Sequence, residues 1–194
     1  MPRLSVGEFS IHLNGREFLF RPSFSALDKI GNPEEITRAF ILAQIVDPEK
    51  PSLYDIINAI VIISSCYAGN DDVHDLIGFT RDSKSGLPKF HYKHVPAHDL
   101  IVLAKKLMID GVVGKPKRKP EKSKSADNAD FNPLEFVSFA AKYFNISMAE
   151  AWNLTMIEYQ SRYAMEFPET KEDGMSEDKF RALQEQVAKK KAGK

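Results

Sequence analysis

Residues 14–40, NGREFLFRPSFSALDKIGNPEEITRAF, contain the point at which strand-like sequence gives way to helix-like sequence. Asn14-Gly15 separates two short alternating runs, and this dipeptide favours the positive φ angles of a tight hairpin turn. Ser23 is a good N-cap for the next helix, and Gly31 is placed to end it in the left-handed conformation. The segment 32–35, NPEE, supplies the cap, proline and acidic first turn of a second helix. These signals predict a mainly α protein with an N-terminal β-hairpin, an α+β fold.

Later helices follow the same local rules. Ser52 with Asp55 has the pattern of a capping box before a helix over 53–67. Because that helix is apolar nearly all round, we expect it to lie in the centre of the fold. Residues 79–95 lose helical periodicity and predict a second hairpin or an extended arm. Pro96 begins another helix, which Gly111 is expected to close.

The sharpest change in composition falls at residues 114–130, GKPKRKPEKSKSADNAD, where the prolines are the only apolar side chains larger than alanine. Such a segment buries too little surface to offset its ordering entropy, so we expect a flexible basic linker. It divides the chain into a helical N-terminal domain with its hairpin over 1–113 and a small C-terminal helical unit over 131–170. A polar, partly helical tail is predicted over 171–194.

Bulk composition excludes several classes of protein. The 194 residues are 43% hydrophobic and carry a formal net charge of +0, so nothing draws the whole chain to nucleic acid or to a membrane. The single cysteine, Cys66, excludes a disulfide framework. No apolar run reaches the roughly 18 residues that span a bilayer. We therefore expect a soluble, intracellular protein.

Catalytic and metal chemistry find little support in the sequence. His91, His94 and His98 lie within eight residues, but their spacing matches no zinc-binding template, and a solvated loop is the favoured interpretation. Cys66 ends an apolar helix without a catalytic motif around it and is expected in the core. The sequence predicts no enzyme, no cofactor and no metal site.

The basic linker is the strongest argument for nucleic acid. Its six basic residues could release counterions on binding phosphate, yet no aromatic residue lies between them to stack on bases. A solvated spacer is the simpler interpretation. A small nucleic-acid-binding or regulatory protein remains the alternative. The basic residues are Lys115, Lys117, Arg118, Lys119, Lys122 and Lys124.

The C-terminal unit contains two consecutive capping boxes, Ser147 with Glu150 and Thr155 with Glu158. Trp152, the only tryptophan, lies just before the second cap, where it can pack the two helices together. At 37 residues, the unit 131–167 is too short to support a core alone.

Three arrangements of this unit follow. It docks on the N-terminal domain, it forms a small bundle around its own aromatic residues, or it completes its core on a partner as a helix in a groove. The residues predicted to bind a partner are Phe136, Phe139, Tyr143, Trp152, Leu154, Thr155, Glu158, Tyr159 and Tyr163.

Two stretches resemble a known family. Residues 20–40, FRPSFSALDKIGNPEEITRAF, resemble the N-terminal region of tail assembly chaperones of long-tailed bacteriophages and of a related family of uncharacterised phage proteins. Residues 146–160, ISMAEAWNLTMIEYQ, resemble a signature near the C-terminal end of such chaperones, carried here by Trp152, Leu154, Thr155 and Glu158. The segment 79–95 and the tail over 176–194 have no counterpart in the resemblance.

The resemblance implies a mostly helical, non-enzymatic protein of the host cytoplasm. Such a chaperone binds the tape measure protein, keeps it soluble and helps to recruit tail tube subunits. The sequence leaves open the oligomeric state, the client-binding surface and whether the C-terminal unit docks on its own N-terminal domain.

Overall fold

The structure, a computed structural model, describes residues 6–69, 73–81, 88–90, 95–115 and 130–168. It is mainly helical, with a two-stranded antiparallel hairpin at the N-terminus, as the sequence predicts. The strands are β1 (Phe9–Leu13), β2 (Arg16–Phe20), β3 (Phe79–Arg81) and β4 (Pro88–Phe90). The helices are α1 (Phe24–Asp28), α2 (Pro33–Ile45), α3 (Leu53–Cys66), α4 (His74–Ile77), α5 (Ala97–Met108), α6 (Pro133–Tyr143), α7 (Met148–Trp152) and α8 (Met156–Glu166).

The N-terminal hairpin forms where the sequence predicts it. Asn14 and Gly15 have φ angles of 51° and 76°, so both adopt the left-handed conformation that a two-residue turn between strands requires. β1 pairs with β2 in antiparallel register from Phe9 opposite Phe20. These two rings stack at 5.5 Å, which fixes one face of the hairpin against the core.

Side-chain caps set the starts of α2 and α3. Asn32 and Glu35 bond reciprocally through side chain and backbone, and Ser52 and Asp55 do the same. Each pair satisfies two amide groups that a helix start leaves without a partner. Both predicted helix starts are confirmed.

The main core lies where α2, α3 and α5 pack against one another, and β2 and α1 contribute side chains to it. Its largest fully buried side chains include Phe18, Leu27, Ile36, Ile62 and Leu107. The central position predicted for α3 is therefore confirmed, but one side of this apolar helix faces solvent. A second predicted hairpin is present as β3 and β4, which pair in antiparallel register.

Two glycines do not have the predicted roles. Gly31 lies beyond the end of α1 and has φ 152°, and a Cβ there would fall on the Glu35 side chain that caps α2. Gly111 does not close α5, because the helix continues as a π-helical turn over Ile109–Val113 and ends at Gly114. A Cβ on Gly111 would lie 3.2 Å from both Pro22 and Leu27, so this glycine permits close packing against the start of α1.

The C-terminal helices dock on the N-terminal part of the chain. α6 and α7 contact α1, and α8 contacts the π-helical turn after α5. Phe24 of α1 is fully buried in a second core cluster whose other buried members come from the C-terminal helices. These are Val137, Ala140, Ala151, Leu154 and Met156. Of the three arrangements left open by the sequence, the structure shows docking.

No helix in the described part of the chain is long and apolar enough to cross a membrane. Several sequence predictions lie outside the described residues. They concern the linker over 116–129, the tail over 171–194, and His91 and His94.

Candidate functional site

Residues 20–40 and residues 146–160 contact each other directly. The amide of Phe24, at the start of α1, donates a hydrogen bond to the carbonyl of Leu154 at 2.9 Å. Ser23 and Thr155 form an isolated antiparallel bridge beside it. Backbone pairing thus joins the cap of α1 to the cap of α8, two segments far apart in the chain. We call this junction, with the side chains of Glu8, Arg21 and Glu158, the clasp.

Arg21 is the centre of the clasp. Its Nη2 donates to Glu158 Oε2 at 2.8 Å, and its Nε and Nη2 donate to the carbonyl of Asn153 at 3.2 and 2.9 Å. Its Nη1 donates to Glu8 Oε1. The three side chains are between 14% and 22% exposed, so solvent screens them only partly. One guanidinium therefore holds the N-terminal hairpin and the start of α8 together.

Glu158 has two functions in the clasp. Besides its contact with Arg21, its Oε2 accepts the Thr155 amide at 2.8 Å, which completes the predicted capping box of α8. The fully buried Thr155 hydroxyl accepts the Glu158 amide at 3.2 Å and lies 3.3 Å from the Val6 carbonyl oxygen. A Cβ on Gly7, which has φ 85°, would stand 2.6 Å from that hydroxyl. The Leu-Thr-x-x-Glu pattern is thus a docking element inside this chain.

Aromatic rings extend from the clasp toward solvent. Phe24 stacks on Phe136 at 5.6 Å and meets Tyr159 edge-on at 6.0 Å. Trp152 is half-buried against the same cluster, at the corner predicted for it. Burial, with a smaller effect from Tyr163, raises the pKa of the Tyr159 hydroxyl. These rings join α6, α7 and α8 to α1.

A more exposed group of rings lies farther along α6 and α8. Phe139 lies 4.4 Å from Tyr143 and 5.7 Å from Tyr163, and Tyr163 lies 5.0 Å from Phe167, measured between ring centroids. Tyr143, Tyr163 and Phe167 remain 43%, 44% and 37% exposed. We call these four residues the aromatic face. Phe167 was not among the residues predicted to bind a partner.

The nine predicted partner-binding residues therefore fall into three groups. Leu154, Thr155 and Glu158 are engaged in the clasp; Phe136, Trp152 and Tyr159 are half-buried in the second core cluster; Phe139, Tyr143 and Tyr163 lie on the aromatic face. In the third group Tyr143 and Tyr163 are exposed to solvent, whereas Phe139 is half-buried.

A second apolar surface, on α3, was not predicted from the sequence. Tyr54, Ile57 and Val61 follow one another at helical spacing along α3 and are 58%, 48% and 41% exposed. Together with α2 they line an open groove with a volume of about 220 Å³. The sequence indicates this surface only through the apolar residues on every side of α3, a pattern that we expected to place the whole helix in the core.

Catalytic chemistry finds no support at Cys66. The thiol is buried, and burial raises its pKa to about 12, against a smaller opposing effect of Lys29. Among the described residues no group of three or more His, Cys, Asp or Glu side chains is placed to hold a metal ion. His98 lies 3.2 Å from Glu49, a surface contact.

We expect Cys66 to resist a thiol-specific disulfide reagent at pH 8 until the protein unfolds. The neutral thiol is favoured in the folded state, so the nucleophilic thiolate is scarce there and becomes accessible only on unfolding. Release of the chromophore measures the reaction, and the same sample in denaturant gives the fully reactive control. A native thiol that reacts as fast as the denatured one would contradict its burial.

Comparison with known proteins adds one result. The model of a family of unknown function, DUF6246, matches residues 39–182, about three quarters of the chain. The chain belongs to this DUF6246 family. The matched region contains α3 with its side of the groove, the aromatic face and the Glu158 side of the clasp, whereas Arg21 and Phe24 precede it. No curated protein and no solved structure matches the chain.

Proposed function

We propose that this protein is a non-enzymatic tail assembly chaperone of a long-tailed bacteriophage. In this role it binds the tape measure protein in the host cytoplasm, keeps it soluble and helps to recruit tail tube subunits. The observation that carries the proposal is the aromatic face, which exposes ring surface on α6, just before residues 146–160, and on α8, which begins within them. The resemblance of residues 20–40 and 146–160 to such chaperones supplies the identity of the client.

The chemistry of the aromatic face suits a long apolar helix. Aromatic side chains and Met are enriched at the centres of protein interfaces. Met165 adds to the exposed apolar surface of α8 at 81% exposed. Lys142 Nζ lies over the Tyr143 ring, 4.9 Å from its centroid, and places a positive charge at the edge of the aromatic face. An apolar centre with a charged edge is typical of a surface that binds and releases a protein partner.

The clasp gives this surface a fixed position. Because α6 and α8 are joined to α1 and to the π-helical turn, the aromatic face is held by the N-terminal part of the chain. The rings also contact one another, so little side-chain entropy is lost when a client covers them. The alternative based on nucleic acid depends mostly on residues outside the described part of the chain, and no contact among the described residues favours it.

Co-expression with the tape measure protein from the same genome tests the proposal. We expect the client to move from the insoluble to the soluble fraction when this chain is present, and the two to co-purify. The client expressed with an unrelated helical protein is the control. A client that is equally soluble alone and does not co-purify would refute the proposed function.

A further inference from the structure

The groove between α2 and α3 is a surface that neither fold nor clasp explains. It is lined by Ile30, by Glu35, Arg38, Ala39 and Leu42 of α2, and by Tyr54, Ile57, Asn58 and Val61 of α3. Ile41 and Ile45 of α2 are also 50% and 72% exposed but do not line it. The exposed apolar side chains that α3 contributes to the groove are of the kind that marks an interaction site.

The size and shape of the groove fit a helix better than a small molecule. Its volume of about 220 Å³ is below the ~300–1,000 Å³ typical of small-molecule sites, and it is open along one side. Tyr54 to Val61 spans seven residues, about 10 Å or two helical turns. A helix that inserts side chains at i, i+3 or i+4, and i+7 would match this length.

The charged residues around the groove indicate the charge of a suitable partner. Residues 33–61 carry five carboxylates and two cations, a net charge of −3. Glu34 and Glu35 lie at one end with Arg38, and Asp47 and Glu49 lie beyond the other with Lys50, in the α2–α3 loop, so these groups give each end a net charge of −1. Two copies of this chain meeting through the groove would bring like charges together, which disfavours a symmetric dimer there. A partner with basic residues at both ends of its apolar face would be attracted.

We propose that the α2–α3 groove binds an amphipathic helix of a partner protein, one whose apolar face is flanked by lysine or arginine. The surface is separate from the aromatic face, and the proposal stands on the groove's own residues whether or not the proposed function holds. Side chains of the partner helix fill the space between Leu42 and Ile57. Its basic residues lie against the acidic ends of the groove.

The test uses the full chain and a labelled synthetic helix of about 18 residues, long enough to be partly helical in water. The peptide carries leucine at i, i+3, i+4 and i+7 with lysine on both flanks. One control peptide has glutamate in place of lysine, and another has the same composition with its leucines scrambled. Fluorescence anisotropy measures affinity at low and high salt.

We expect saturable binding of the lysine peptide, weakened by salt and at least about tenfold tighter than binding of either control peptide. Ile57→Glu should weaken it at least about tenfold, because the substitution puts a charge in the centre of an apolar contact. Val102→Glu, on an exposed residue of α5 outside the groove lining, should leave the affinity unchanged. Circular dichroism confirms that both variants remain folded, and Tyr54→Ala gives a milder second variant.

Several results would overturn the proposal. Equal binding of the lysine and glutamate peptides, or unchanged affinity for both Ile57→Glu and Tyr54→Ala, would remove the groove as the site. A concentration-dependent dimer that Ile57→Glu abolishes would assign the groove to a second copy of the chain. Leu183 lies in the tail predicted over 171–194, and a gain in peptide affinity on Leu183→Glu would assign the groove to that segment of the chain. Neither of these last two results affects the co-expression test of the aromatic face.

Discussion

Phe24→Ala is expected to lower the free energy of unfolding by about 3–5 kcal/mol, a large part of the stability of a protein this size. Phe24 is fully buried and contributes the α1 side chain at the centre of the second core cluster. Its removal leaves a cavity and breaks the ring contacts with Phe136 and Tyr159. Since the cluster joins the C-terminal helices to α1, those helices should detach from α1 before the rest of the protein unfolds.

Two probes separate local from global unfolding in this experiment. Trp152 is the only tryptophan and lies beside the cluster, so its fluorescence follows the C-terminal helices, whereas far-ultraviolet circular dichroism follows all helices. In Phe24→Ala the fluorescence transition should precede the circular dichroism transition in urea. Phe167→Ala, at a partly exposed ring, is the matched control and should cost less than about 1 kcal/mol. Equal urea midpoints for Phe24→Ala and Phe167→Ala would show that Phe24 does not stabilise the docking of the C-terminal helices.

Arg21→Met is expected to cost about 2–3 kcal/mol. Exposed ion pairs contribute about 0–1 kcal/mol, but the loss of a partner from a buried pair costs about 3–5 kcal/mol, and the clasp lies between these cases. The substitution keeps much of the side-chain volume while leaving Glu8, Glu158 and the carbonyl of Asn153 without the guanidinium. Urea unfolding at two salt concentrations measures the effect, and salt should change it little.

The chain offers a matched control for the clasp. Arg38 lies 3.4 Å from Glu34 on the surface of α2, and both side chains are more than half exposed, so Arg38→Met should change stability by about 0.5 kcal/mol or less. A double-mutant cycle of Arg21→Met with Glu158→Gln isolates the coupling between the two clasp residues. If Arg21→Met costs no more than Arg38→Met, the clasp does not hold the C-terminal helices.

The features that the sequence predicts correctly are local ones. The capping boxes at Ser52, Ser147 and Thr155 each depend on a residue three positions later, so the pattern is complete within four residues, and the cap at Asn32 is equally local. The Asn14-Gly15 turn is equally local. Helix starts, the hairpin and the corner at Trp152 could therefore be predicted, and with them the fold class.

Features that depend on distant residues could not be predicted in the same way. Arg21 and Glu158 are separated by 137 positions, and nothing near either residue indicates the other. Gly111 has the local pattern of a helix end, but its role is set by contact with Pro22 and Leu27. In α3, periodicity cannot distinguish an apolar side that meets the core from one that faces solvent, because both use the same side chains. For this reason the groove could not be predicted from the sequence.

We propose that the aromatic face receives the client, and the most direct test is the amount of tape measure protein that co-purifies with the chain. Wild type is compared with the double variant Tyr163→Lys, Phe167→Lys and with Val102→Lys, an exposed substitution of the same kind on α5. The double variant should retain the circular dichroism spectrum of the wild type. It should bind at least about tenfold less client, because two charges would be placed in an apolar contact. Val102→Lys should bind as wild type does. Equal recovery of the client with all three proteins would contradict the account.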